Sequence, residues 1–204
     1  MTRAYFVRHA QPEHDWEEDR TRPLTEEGKK DSAIVLEFLK DKKIDAFYCS
    51  PYKRSMDTIA EAADFFTKEI ITDERLRERE KGLDGNNHGM FRKRWADHNY
   101  HEEGGESIAM VQKRNIEALN EILSDNTDKD IVIGTHGTAL STILNFYDSN
   151  FGCEDFLRII DWMPYIIELD FEGDKLIAKQ EHCYIEKEFK GKQRADIKRE
   201  YSTW

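Results

Sequence analysis

Ala4-Tyr5-Phe6-Val7-Arg8-His9-Ala10 is the stretch on which the reading of this chain turns. A short apolar run of strand-favouring residues ends in a permanent cation and then an imidazole. In an open α/β sheet, ligands bind just beyond the carboxyl ends of the strands. A strand ending in Arg8-His9 sets at such a crevice a charge suited to an anion and a nitrogen able to attack one.

The pattern recurs downstream. Asp130-Ile131-Val132-Ile133-Gly134 reads as a buried strand running into Thr135-His136-Gly137, a second strand-end histidine that opens a helix. Residues 44–49 read as another strand, ended by Ser50-Pro51, with Ser50 as cap and Pro51 in the first turn of a helix carrying Arg54. A short third strand over 69–72 precedes a turn through Asp73 to Glu78. Thr25 caps a helix with Glu26 and Glu27 in its first turn, continuing through Leu39 and closed by Lys40 to Lys43. Helical periodicity returns over 106–123, and residues 165–171 and 175–180, split by Glu172-Gly173-Asp174, read as a hairpin.

Strands alternating with helices predict a three-layer α/β/α sandwich with a mainly parallel sheet and an antiparallel edge. The length, 204 residues, predicts a single domain over 1–204. An irregular stretch at 82–105 is expected to be a cap insertion above the sheet, and a charged tail is expected from 186.

Charged residues make up 36% of the chain and the net charge is -11. Such a chain is repelled on average by nucleic acid and anionic membrane, so neither is expected as a partner. An anionic small molecule can still be held where a few cations cluster. Met1 to Ala4 leads straight into a strand, and no apolar stretch approaches spanning length. Cys49, Cys153 and Cys183 are far apart and odd in number, which argues against a disulfide framework or a zinc ribbon. A cytoplasmic protein is expected. Its oligomeric state stays open, a homodimer being compatible.

Sheet topology can bring separate strand ends together, so Arg8, His9, Arg54 and His136 can share one crevice. Arginine matches phosphate oxygens with a planar fork, and removing charge from those oxygens is most of what phosphoryl transfer asks of a protein. A neutral His9 can attack phosphorus, and a protonated His136 would add positive charge to the pocket. The leaving oxygen needs a proton, which a carboxyl beside a phosphate dianion is suited to hold, and Glu78 is placed for that task. Singly, each residue has a plainer reading as a surface, capping or salt-bridging group. Their joint occurrence at predicted strand ends is far less permissive.

Arg8-His9, Ser50-Pro51 with Arg54, Leu76-Arg77-Glu78 followed by Gly82, and Thr135-His136-Gly137 together resemble the histidine phosphatase superfamily, in its phosphoglycerate mutase-like branch. Leu24-Thr25-Glu26-Glu27-Gly28 and Gly104-Gly105-Glu106-Ser107 with Arg114 are similar to further signatures of that family. The resemblance implies that His9 is the phosphorylated nucleophile and that Arg8, Arg54 and His136 hold the phosphate. It implies that Glu78 is acid and base. Arg79 and the Gly137 amide, at a helix N-terminus, are expected to bind substrate. Ala10 stands where the family usually has Gly, and the usual Trp-Glu-Gly element is reduced to Gly82-Leu83-Asp84-Gly85, which bears on specificity rather than chemistry.

Other constellations are weaker. His88, His98 and His101 lack partner cysteines or an HExxH spacing, so no metal and no cofactor are expected. Arg92-Lys93-Arg94 with Phe91, Trp95 and Tyr100 reads either as a grip on the nonphosphate end of a substrate or as a solvated helix face over aromatics. The expected activity is metal-independent phosphomonoester hydrolysis of a small phosphorylated metabolite through phosphohistidine. A cofactor-dependent phosphoglycerate mutase is the second reading. A noncatalytic phospho-ligand module is the third, disfavoured because binding alone needs neither His9 nor Glu78.

Overall fold

The computed structural model describes residues 1–83 and 90–188. Its strands are β1 (Thr2–Arg8), β2 (Ala46–Cys49), β3 (Ile70–Thr72), β4 (Asp130–Thr135), β5 (Trp162–Glu172) and β6 (Lys175–Glu186). They form one sheet in the order β3-β2-β4-β1-β5-β6. The first four run parallel, and β5 and β6 add an antiparallel pair at the β1 side.

Strand alternation sends Ala4, Phe6, Ile131, Ile133, Ile167 and Leu169 to one face and Tyr5, Val7, Phe47, Val132 and Ile166 to the other. The first face is covered by α5 (Ile108–Asp125), α6 (Gly137–Tyr147) and α7 (Cys153–Ile159) through Leu119, Leu140, Ile143 and Phe156. The second lies under α2 (Ala33–Leu39) and α3 (Lys53–Phe65), which contribute Val35, Leu39, Ile59 and Ala62. The three-layer sandwich and the mainly parallel sheet with an antiparallel edge are thus as the alternation of elements predicts.

Several local expectations are corrected. The helix capped by Thr25 is two helices, α1 (Glu26–Asp31) and α2, meeting at Ser32, whose hydroxyl donates to the Lys29 carbonyl at 2.7 Å. A serine hydroxyl that bonds back along its own helix competes with the regular ladder. The Thr25 cap itself forms, with the Gly28 amide donating to Thr25 Oγ1 at 2.8 Å. A Cβ on Gly28 would stand 2.3 Å from the Gln11 carbonyl oxygen, so glycine lets the loop after β1 cross this helix closely. Ser50 does not cap α3. The N-cap position is Tyr52, and the Ser50 hydroxyl turns to the site instead. The edge hairpin is longer than its sequence pattern, starting at Trp162 and ending at Glu186.

The segment expected as a cap closes on a short stem. Lys81 bridges Gly105, the Leu83 amide donates to the Glu103 carbonyl at 2.9 Å, and the Glu106 amide to the Glu80 carbonyl at 3.0 Å. Gly82 has φ +68, and a Cβ there would meet the Gly105 nitrogen at 2.6 Å. Inside it, α4 (Met90–Ala96) lays Trp95 against Phe151 and Phe156. Asp84, Gly85, Asn86, Asn87, His88 and Gly89 lie outside the described residues. So does the expected tail from 189 onward. Between exposed Glu186 and Glu188, Lys187 is buried: its amide donates to the Asp161 carbonyl, and its ammonium pairs with Glu27 at 2.7 Å and Asp31 at 2.5 Å. Among the described residues, no helix is long and apolar enough to cross a membrane.

Candidate active site

Register places the site. Arg8 of β1 lies opposite Thr135 of β4, so His9 and His136 leave neighbouring parallel strands side by side. Their ring centroids are 5.2 Å apart. Gly134 of β4 lies opposite Cys49 of β2, which brings Ser50 to the same rim. Ser50 has the composition of a helix cap but obeys the same topological rule as the two histidines.

The His9 ring is held in one tautomer. Its Nδ1 lies 2.8 Å from the Ala10 carbonyl oxygen, a partner that only accepts, so Nδ1 carries the proton. Nε2 then keeps its lone pair and accepts from Arg54 Nε at 3.3 Å. The ring nitrogen with a free lone pair and the Arg54 guanidinium therefore face each other. Thr58, not singled out in the sequence, fixes both: its Oγ1 accepts the Ala10 amide proton at 2.9 Å and donates to the Arg54 carbonyl at 2.7 Å.

Arg8 is buried and donates through Nη1 to the Ile159 carbonyl and through Nη2 to the Ile160 carbonyl at 2.8 Å. A Cβ on Gly137 would stand 3.2 Å from Arg8 Cζ, so the absence of a side chain there lets the guanidinium lie against the start of α6. His136 Nε2 meets Ser50 Oγ at 2.7 Å, and that oxygen also accepts the Tyr52 amide at 3.2 Å. His136 Nδ1 is buried without a hydrogen-bond partner among the described residues. A hydroxyl can donate to Nε2 or accept from it, and in the arrangement where Ser50 donates, Nδ1 carries the proton and can donate to a bound anion.

Glu78 sits at the beginning of α6. Its carboxylate accepts from the Thr138 amide at 3.0 Å, the Ala139 amide at 3.2 Å and the Arg79 amide at 2.8 Å. The helix N-terminus favours negative charge at that point. The turn bearing Glu78 is clamped by Arg114, whose Nη1 donates to the Arg75 and Arg77 carbonyls, both at 2.7 Å, and whose Nη2 donates to the Glu78 carbonyl at 3.1 Å. Glu106 holds Arg114 in turn, at 2.8 and 2.9 Å.

Arg8, His9, Arg54, Glu78, His136 and Gly137 thus converge on one place. The Arg79 guanidinium bonds to the Glu80 and Glu106 carbonyls, both at 3.1 Å, and to Glu102 at 3.3 Å. Arg94 also grips Glu102 and is buried, so it is not a solvated residue. Arg92 pairs with Glu154, and Lys93 lies 3.8 Å over the Tyr100 ring. His98 stacks edgewise on Trp95, while His101 Nδ1 meets the Glu102 carbonyl at 3.1 Å.

Burial, then the charges of Arg54 and Arg8, hold His9 well below the ordinary imidazole range. Burial, then Arg54, does the same to His136. Both shifts favour the neutral ring. That suits His9 as a nucleophile, while the positive charge expected on His136 is one that a bound phosphate dianion would have to induce. The unfolded chain binds protons at both histidines below about pH 6.5 while the folded chain does not, so acid favours unfolding. Stability is expected to be complete above that pH and to fall as pH drops toward about 5, by at most about 1.4 kcal/mol per pH unit for each imidazole. Urea midpoints across this range measure it, and His136→Asn should reduce the slope. A stability unchanged from neutral pH to about 5 contradicts the assignment.

Comparison with known proteins places this geometry. A family model described as histidine phosphatase superfamily (branch 1) matches residues 4–175. Phosphoserine phosphatase 1 of Hydrogenobacter thermophilus is 29% identical over 154 residues, covering 67% of this chain and 71% of that protein. The 2,3-bisphosphoglycerate-dependent phosphoglycerate mutase of Thermoplasma acidophilum is 44% identical over 55 residues, covering 27% of this chain and 28% of that one. Among solved structures, phosphoserine phosphatase from Entamoeba histolytica in complex with 3-phosphoglyceric acid superposes with a TM-score of 0.73 at 21% identity, over 90% of this chain and 96% of that one.

Proposed function

Since the chain belongs to the histidine phosphatase superfamily, we propose that it is a phosphomonoesterase that acts through a phosphohistidine on His9. The observation that carries this reading is the single-tautomer His9, whose Nε2 lone pair faces Arg54 with His136 alongside.

His9 Nε2 attacks phosphorus as the ester P–O bond breaks. Arg8, Arg54 and His136 Nδ1 take up charge on the nonbridging oxygens. Glu78, which takes up a proton as the phosphate dianion binds beside it, gives that proton to the departing alkoxide, so the alcohol leaves neutral. The resulting carboxylate then takes a proton from water as that water attacks the phosphohistidine. The P–N bond breaks, phosphate leaves, and His9 and the Glu78 acid are restored. Thr58 and Arg114 touch no reacting atom. They hold Arg54 with the residue after His9, and the Glu78 turn, respectively.

A phosphoglycerate mutase would use the same groups and differ only in its acceptor, a second hydroxyl in place of water. The short match at 44% identity to the Thermoplasma acidophilum mutase is what favours it. Hydrolysis is preferred because the longer match is to a phosphatase. The test offers purified protein, with chelator, a panel of phosphate monoesters. Released phosphate together with an acid-labile, base-stable phosphoprotein is the expected result. No release from any ester and no phosphoprotein refutes the proposal, and interconversion of 2- and 3-phosphoglycerate far faster than hydrolysis replaces it with the mutase.

A further inference from the structure

The loop after β1 carries a carboxylate into the site. Asp19 binds Arg54, its carbonyl oxygen accepting from Nη1 at 2.6 Å and its Oδ1 lying 3.4 Å from the same nitrogen. Its Oδ1 also lies 2.7 Å from Arg22 Nη1 and 3.9 Å from Lys81 Nζ. Arg22 is 11% exposed and Asp19 25%, so this is a sheltered pair rather than a solvated one. Lys81 belongs to the same cluster: after burial, the charges that act on it are those of Asp19, Arg22, Arg54 and Glu78. None of the chemistry above uses Arg22, Lys81 or Asp19.

The arrangement is a row. Arg54 meets His9 Nε2 with its Nε and Asp19 with its Nη1, so the width of one guanidinium separates the phosphorus site from the Asp19 carboxylate. Beyond Asp19 stand two cations with no role in phosphoryl transfer. They already hold a carboxylate, a few bonds' length from where the phosphate would lie. We propose that Arg22 and Lys81 form a second anion subsite, filled in this structure by Asp19, and that the substrate is a phosphomonoester bearing a carboxylate or similar anionic group a few bonds from its phosphate. On binding, that group takes the place of the Asp19 carboxylate. Asp19 then acts as a built-in competitor: an ester without a second charge gains only Arg8, Arg54 and His136, whereas one that has it also recovers Arg22 and Lys81.

The inference rests on the phosphomonoesterase reading but is tested by binding, which needs no turnover. Titration calorimetry on the His9→Ala protein compares 3-phosphoglycerate with sn-glycerol 3-phosphate, which differ in having a carboxylate or a hydroxymethyl group at the far end. The carboxylated ligand should bind about tenfold tighter, the worth of one charge-assisted contact. Arg22→Gln should erase most of that preference while moving glycerol phosphate by no more than about twofold. Lys81→Gln, at a more exposed side chain, should weaken the same ligand if the arginine variant fails to fold. Asp19→Asn should tighten 3-phosphoglycerate, since the competitor loses its charge. Equal affinities for the two ligands, equal losses for both in the Arg22 and Lys81 variants, or weaker 3-phosphoglycerate binding in Asp19→Asn each overturn the subsite. Failure of phosphate release in the wild type with these binding results intact refutes the phosphatase reading alone.

Discussion

Replacing His9 with alanine is expected to lower turnover of every phosphate ester by roughly four to six orders of magnitude, the scale on which removal of a covalent nucleophile acts. The whole reaction runs through one nitrogen. Without Nε2 no phosphohistidine forms, and the Glu78 carboxyl and the arginines have only direct attack by water to assist. The fold should survive. The substitution removes a ring that is buried and neutral, and leaves the Ala10 amide still donating to Thr58 and Arg54 still held by Asp19. What it does leave is Arg54 Nε without its acceptor, a local cost near the ordinary net value of a hydrogen bond, about 1 kcal/mol. The checks are phosphate release under single turnover and acid-labile label on the protein, with the urea midpoint as control. Turnover within tenfold of wild type, in a folded protein, removes His9 as nucleophile.

The parts of the fold and the site that were legible in sequence are those where a local pattern meets a topological rule. Apolar runs ending in Arg8-His9 and in Thr135-His136 marked two strand ends, and parallel pairing with Arg8 opposite Thr135 brings the two rings together. The Thr25 cap was legible for the same local reason. Residues whose partner lies far along the chain were not. Ser50 has the composition of a helix cap, yet its hydroxyl is taken by His136, 86 residues away. Lys187 reads as one more charge in a polar tail until Glu27, 160 residues earlier, and Asp31 close around it. Asp19 and Arg22 sit in an acidic loop whose composition gives no sign of which carboxylate turns inward. Short α7, with Glu154, Asp155 and Arg158 among its residues, has too little apolar periodicity to be read, although it supplies through Ile159 a carbonyl that holds Arg8.

Glu78→Gln separates the two halves of the reaction. Glutamine keeps the shape, and its one amide oxygen can take the place that accepts from the Ala139 and Arg79 amides, at the cost of the Thr138 amide, whose acceptor becomes an NH2 group. The Arg114 clamp, which reaches this turn through backbone carbonyls, is untouched. What is lost is a transferable proton. For an alkyl phosphate, whose leaving alkoxide is strongly basic, the rate should drop by about 100- to 10,000-fold, the usual worth of general acid catalysis. For p-nitrophenyl phosphate, whose leaving group needs no proton, formation of the phosphoenzyme should be nearly unimpaired. Its breakdown still requires a base to activate water, so label should build up on His9 as a burst of nitrophenol followed by slow release of phosphate. A protein that loses both substrates equally and accumulates no phosphohistidine would show that Glu78 orders the pocket rather than moving a proton. The same variant also tells Glu78 apart from Arg114: Arg114→Gln frees the turn without removing the acid, so it should slow both esters together and produce no burst.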